Sequence, residues 1–184
     1  MNTRTALLNS AELAARQRGY DAFSFADLAR DVGIRKASIH HHFPRKADLA
    51  LELIERYAET FKAALSEIDL TEPSAIAKLK AYQQLYRDAL ADGTQLCLCV
   101  AFSAGRGSLP EPVLERLEQF HEDSVSWLAE VIGQAGWANA KAEARATLAL
   151  MEGAQLLARA TQDIDQFDLA TAAFLARLSP KTRH

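Results

Sequence analysis

Cysteine is nearly absent from this 184-residue chain, which has only Cys97 and Cys99. Side chains two apart in a helix point away from each other, so a disulfide scaffold is excluded and a reducing, cytoplasmic setting is expected. No stretch approaches the roughly 18 consecutive apolar residues of a membrane-spanning helix, so none is expected. Met1 to Leu8 lack the basic run, apolar run and small-residue cleavage site of a secretory signal, and no such signal is expected either. Catalytic signatures are missing as well. There is no nucleophile elbow, no His-Glu-x-x-His and no glycine loop cradling phosphate after a strand. An enzyme is therefore not expected, and no cofactor is implied.

Glycine and proline are scarce too, at eight and five. They punctuate segments rich in Ala, Leu, Glu, Arg and Gln, all strong helix formers. No segment shows the β-branched alternation of a strand. Hydrophobic residues make up 49% of the chain, enough for a packed core. The expected fold is all-α with about nine helices. The first spans 3–18 and stops at Gly19. The second spans 25–32, with Ser24 as N-cap, Asp27 completing a capping box and Gly33 closing the helix. The third covers 35–42 and ends before Pro44. A long fourth starts at Lys46 or Ala47 and reaches about 68. A fifth runs from Pro73 or Ser74 to 90, and a sixth from 94 to 104. After a Gly/Pro-rich loop come helices over 113–134, 140–160 and 165–178, with Pro180 in the tail.

Charge divides the chain. Residues 1–46 hold eight Lys or Arg against four acids, a net of +4; the remainder holds thirteen against twenty, a net of −7. A small basic head on an acidic body is the charge pattern of a protein that turns one face to a polyanion. The expected division is a helix-turn-helix DNA-binding domain at 1–46 and a helical effector-binding and dimerisation domain at 47–184.

Within the head, Leu28, Ala29 and Val32 form the apolar stripe of a short helix. Gly33 sits where the chain must turn, and Ile34 can plug the corner. Ile39 and Phe43 supply the buried side of the next helix. Arg35, Lys36, Ala37, Ser38, His40 and His41 are left on its outer side, where the polar members suit phosphates and base edges. Alone, this segment would pass for a solvated amphipathic helix; the charge partition and the turn glycine favour a nucleic-acid face. Successive side chains on a helix diverge by about 100°, so His40, His41 and His42 do not converge on a metal ion.

The run Ser24-Phe25-x-x-Leu28-Ala29-x-x-Val32-Gly33-Ile34, followed by Ile39-His40-x-x-Phe43-x-x-Lys46-x-x-Leu49, resembles the N-terminal domain of the TetR family of one-component regulators. The resemblance implies that three N-terminal helices read DNA while a C-terminal domain binds ligand and dimerises, most often for repression relieved by the ligand. It also implies that Ser24 caps the second helix and touches a phosphate. Lys36 and Ser38 match base- and phosphate-contacting positions, and Lys46 matches a lysine whose charge sits on the DNA backbone. The family usually has tyrosine where this chain has His40. Histidine still offers a hydrogen bond, with added pH sensitivity.

In the body, the segments over 140–160 and 165–178 are too apolar for one-sided surface helices. They could be core within one chain, or two helices per subunit could pair into a four-helix homodimer interface. Leu148, Met151, Gly153, Leu157, Phe167, Ala170 and Phe174 are the candidates. Glu152-Gly153-Ala154 resembles the family's interface helix. Two-fold pairing would also double the contacts on a palindromic double-stranded operator.

The family places its effector pocket among helices four to eight. Here the candidates are Phe61, Tyr82, Tyr86, Leu96, Phe102, Phe120, His121, Trp127 and Met151, which would suit a hydrophobic small molecule; equally, aromatic residues at helical spacing serve as ordinary core. Leu96-Cys97-Leu98 resembles a branch of the family with a cysteine that senses electrophiles or oxidants, which would add Cys97 to the set. Such a thiol needs access and a lowered pKa, and the ordinary fate of both cysteines is burial as small hydrophobes. The competing function is a helical protein-binding adaptor whose basic head docks an acidic partner without reading DNA.

Overall fold

A computed structural model describes residues 2–178, which form nine α-helices and two short 3₁₀ turns. The tail at 179–184, with Pro180, lies outside the described residues. The helices are α1 Thr3–Arg18, α2 Phe25–Val32, α3 Lys36–Ile39, α4 Lys46–Thr71, α5 Ala75–Ala89, α6 Leu98–Ala104, α7 Glu111–Gln134, α8 Ala140–Thr161 and α9 Asp165–Leu178. No described helix is long and apolar enough to cross a membrane.

The chain forms two compact units. The first comprises residues 1–60 and 98–120, the second 61–97 and 121–184. In the first, α1 packs on α2 and α6. Its core takes Leu7, Ala11 and Ala15 from α1, Leu28 from α2, Ile39 from α3 and Leu49, Ala50, Leu53 and Ile54 from α4, all without exposed surface. The boundary expected at residue 46 thus falls at the start of a helix whose first turns complete the head's core. In the second unit α8 packs along α9, and α5 packs on both. Its core includes Leu79, Tyr82, Met151, Ala158 and Phe167.

The third and sixth helices depart most from their expected bounds. The third, expected over 35–42, is α-helical only from Lys36 to Ile39. Arg35 is extended (φ −76°, ψ 141°) and gives no side-chain cap. Three consecutive histidines are middling helix formers, and Pro44 disfavours helical backbone at Phe43. The chain therefore leaves the helix through a turn in which the His42 and Phe43 N–H groups both donate to the Ile39 carbonyl at 2.8 Å. The sixth, expected from residue 94, starts at Leu98. Ala91, Asp92 and Gly93 all have positive φ, so the chain reverses, and the Gln95 N–H closes the turn on the Leu90 carbonyl at 3.0 Å. The loop after α6 holds a 3₁₀ turn at Arg106–Ser108, and α7 begins two residues early, at Glu111.

The start of α2 follows from its capping chemistry. Ser24 Oγ accepts the Asp27 N–H, and Asp27 Oδ2 accepts the Ser24 N–H at 2.9 Å, which closes the capping box. Bonds from the Ser24 hydroxyl, Arg30 and the Ser24 N–H hold the Asp27 carboxyl at about 2, below its ordinary 3.8. A depressed carboxyl contributes stability above its unfolded value and loses it as pH falls through the folded one. Ser24→Ala is expected to cost about 1 kcal/mol in urea unfolding at pH 7. In the same variant Asp27, followed by NMR, should titrate closer to 3.8, and the head's acid-induced loosening between pH 4 and 2 should flatten.

Candidate functional site

The helix-turn-helix is built around one backbone turn. Gly33 ends α2 in the left-handed region (φ 73°, ψ 33°), and its N–H donates to Ala29 and Arg30 carbonyls. The next N–H, of Ile34, returns to the Ala29 carbonyl at 2.9 Å. This paired closure satisfies the Ala29 and Arg30 carbonyls of α2 and aims the chain into α3. Ile39 and Phe43, 0% and 1% exposed, anchor the recognition segment on the core. Arg35, Lys36, Ala37, His40 and His41 are exposed, and Ser38 is half-buried. The expected outer face is therefore assembled, although the helix is shorter than expected.

Three polar positions carry constraints that spacing alone does not reveal. Ser24 is exposed, but its hydroxyl is engaged with Asp27 Oδ2 at 2.7 Å. His40 sits edge-on to Phe25, ring centroids 5.2 Å apart, with Nδ1 3.2 Å from the Pro44 carbonyl oxygen. A carbonyl only accepts, so Nδ1 carries the proton there and Nε2 is the second nitrogen available to a ligand. A neutral His40 then accepts at Nε2, and it donates to a phosphate only when protonated. Lys46 turns inward. Its Nζ donates to the Tyr20 carbonyl at 2.6 Å and lies 4.2 and 4.4 Å from the Tyr20 and Phe23 ring centroids. Burial pulls its pKa down against the pull of Asp21 and Asp27.

The second unit gathers most of the effector candidates. Phe61 meets Tyr82 and Tyr86 edge-on at 6.1 and 6.0 Å, and Trp127 stacks on Tyr82 at 5.5 Å. The Tyr82 hydroxyl is 3.4 Å from that of Tyr86, both rings are buried, and desolvation raises both phenols far above their ordinary pKa. Cys97 precedes α6 and is 1% exposed; Cys99 is fully buried. Met151 has no exposed surface. His121 Nε2 is 3.1 Å from Glu152 Oε1. Phe102 and Phe120 belong to the first unit, where Phe102 meets Tyr20 and Phe120 meets Tyr57. Sequence reading passed over Gln155. Its fully buried amide accepts the Cys97 N–H at 2.9 Å and donates to the Tyr86 carbonyl at 2.6 Å. A glutamine inside the apolar run Ala154-Gln155-Leu156-Leu157 was the signal available for it.

The dimer candidates divide by accessibility. Met151, Phe167 and Phe174, at 0%, 0% and 2% exposed, fill the chain's own core, and Leu148 is also buried. Gly153 and Leu157 are exposed, and Ala170 is half-buried. Around them runs an exposed stripe at heptad spacing: Ala146, Ala149, Gly153, Leu156 and Ala160. On α9, Leu169, Ala172, Ala173 and Ala176 are exposed at the same kind of spacing.

Comparison with known proteins bears on the whole arrangement. Residues 7–53 match the family described as bacterial regulatory proteins, tetR family. The crystal structure of a transcriptional regulator, TetR family, from Agrobacterium tumefaciens superposes with a TM-score of 0.90 at 32% identity, over 95% of this chain and 96% of that one. The chain belongs to the TetR family of transcriptional regulators. Membership makes it a regulator rather than an enzyme. Among curated TetR-like relatives, the HTH-type transcriptional regulator CymR of Pseudomonas putida is 29% identical over 103 residues, 56% of this chain and 47% of CymR. The HTH-type transcriptional repressor NemR of Escherichia coli K12 is 25% identical over 134 residues, 71% of this chain and 67% of NemR. The matches span less than half the length of the first curated relatives. The all-α fold of about nine helices, with the TetR-like N-terminal domain, expected from the sequence is thus the fold found among the described residues.

The His121–Glu152 pair gives this site a measurable signature. Burial lowers the imidazole's pKa, but the hydrogen bond and charge of Glu152 outweigh it, with smaller contributions from Cys97 and Glu122, and the net shift is upward from 6.5. A raised histidine contributes stability below its unfolded pKa and loses it as pH rises through the folded one. Glu152→Gln is expected to drop the His121 pKa, read by NMR, below 6.5, because burial then acts with little opposition. The variant should also lack the extra stability that the raised His121 pKa is expected to give the wild type on the acid side of neutrality.

Proposed function

We propose that this chain is a homodimeric, cytoplasmic repressor that reads a palindromic DNA operator with its 1–46 head and releases it when a small apolar effector binds its 47–184 body. The observation that carries the reading is the outer face of α3, where Arg35, Lys36, Ala37 and Ser38 stand at the helix start on a turn fixed by Gly33. A short helix with cations and hydroxyls at its N-terminal end fits the major groove. The net +4 of the head supplies the attraction to phosphate, and the acidic remainder keeps the body off the DNA. Ser24, His40, His41 and Lys46 complete the contact set, with Lys46 reaching the backbone by the donors left over from its bond to Tyr20.

The effector reading rests on the packed aromatic cluster of Phe61, Tyr82, Tyr86 and Trp127, with Met151 as a further apolar candidate and His121, Glu152 and Gln155 as the few polar groups. Their buried hydroxyls and amide favour a mostly apolar molecule with one or two hydrogen-bonding atoms. The burial of Cys97 favours such a bound molecule over an attacking electrophile. NemR, named a repressor, supports repression as the direction of control.

Two experiments test the reading. Lys36→Ala should weaken operator binding by about 1–3 kcal/mol in fluorescence anisotropy and relax preference at the base it faces. Unchanged binding by that variant would refute the assignment and favour the adaptor. For the dimer, the exposed heptad stripe on α8, not Met151 or Phe174, is the contact face. Leu156→Glu with Leu157→Glu should give a folded monomer by sedimentation, with weakened operator binding. Phe174→Ala should instead cost about 3–5 kcal/mol of stability, by opening the chain's own core.

A further inference from the structure

Arg4, which sequence reading counts only as part of the head's positive charge, makes a well-connected polar contact in the first unit. It lies in the first turn of α1, and its guanidinium is shared between two other parts of the chain, the turn after α3 and helix α4. Nη1 donates to the His42 carbonyl at 2.8 Å. Nε donates to Glu52 Oε1 at 2.9 Å, and Nη2 pairs with Glu52 Oε2, making a two-pronged bond to α4. The guanidinium carbon lies 4.5 Å from the centroid of Phe43. His42 and Phe43 are the turn by which the chain leaves α3. That helix is four residues long, so its own hydrogen bonds hold its end weakly. The rigid planar fork of arginine fixes direction as well as distance.

We propose that Arg4 is a positioning residue for DNA reading: clamped by Glu52, it fixes the C-terminal end of the recognition segment through the His42 carbonyl and the Phe43 ring. It acts through α3 and contributes no phosphate contact of its own. This rests on the DNA-binding reading above. With Glu52 neutralising it and one donor on each of its three nitrogens committed, Arg4 holds the angle at which Arg35, Lys36 and Ser38 are presented. Phe43 anchors the same point from the apolar side, so the polar clamp and the core act on adjacent residues.

The test uses the full-length protein and a duplex selected as its operator, with binding measured over a salt series. Arg4→Met is expected to weaken operator binding about tenfold, the scale of one charge-assisted hydrogen bond. The slope of log K against log salt should not change, and neither should binding to a random duplex. Glu52→Gln leaves the cation in place; it should weaken operator binding in the same direction, and the double variant should add little. Arg4→Lys, which keeps the charge but loses the fork, should resemble Arg4→Met. A slope shallower by about 0.9 in Arg4→Met would mean that one phosphate contact was lost, and would overturn the proposal. Tighter binding by Glu52→Gln would overturn it too, because freeing the cation would then help. A lowered melting temperature with operator affinity intact in both variants would reduce the clamp to a fold contact and also overturn it. If Lys36→Ala weakens binding while the Arg4 variants do not, only this proposal fails. If none of them changes binding, the DNA-reading proposal fails with it.

Discussion

The left-handed turn at Gly33 is the constraint on which the head depends. At φ 73° a side chain would strain the backbone, although a Cβ there would meet no neighbouring atom. The glycine is required by conformation, not by space. Because α2 ends there, the Ala29 carbonyl takes two N–H groups and the chain enters α3 at a set angle. Ile39 and Phe43 then reach the core and the outer residues face away from it. With a different exit from α2, the same residues would be an ordinary amphipathic turn.

Around that turn the head uses its cations for two purposes. Arg35 and Lys36 are exposed, whereas Arg4 and Lys46 are turned toward carbonyls and rings of the head itself. A net charge of +4 therefore overstates the charge offered to DNA and understates the internal cross-linking. In so small a core, charged groups held at carbonyls and over aromatic faces substitute for apolar layers that the segment is too short to supply.

Much of this was legible in the sequence because local rules agree with one another. The Ser24/Asp27 capping box, the Gly33 stop and the bounds of α1, α2 and α9 follow from side chains that act within a few residues. What was not legible depends on partners far along the chain. Inward-facing Lys46 depends on Tyr20 and Phe23, and the early start expected for α6 failed because the chain stays non-helical from the Asp92-Gly93 turn through Cys97. Apolarity marked α8 and α9 as candidates for a dimer surface, but it could not tell which apolar residues the chain spends on its own core. Met151, Phe167 and Phe174 went to the core, leaving a stripe of alanines, Gly153 and leucines outside. Likewise, the family's pocket position among helices four to eight grouped Phe102 and Phe120 with Tyr82 and Trp127, although they belong to the other compact unit.

The central claim is that a pair of such heads reads DNA symmetrically. The most direct measurement is selection of duplexes from a random pool by the full-length protein, followed by sequencing. The account predicts an enriched inverted repeat whose half-sites are centred about one helical turn apart, roughly 34 Å, or a multiple of it. Failure to enrich any sequence, or enrichment of a single half-site without a symmetric partner, would contradict it.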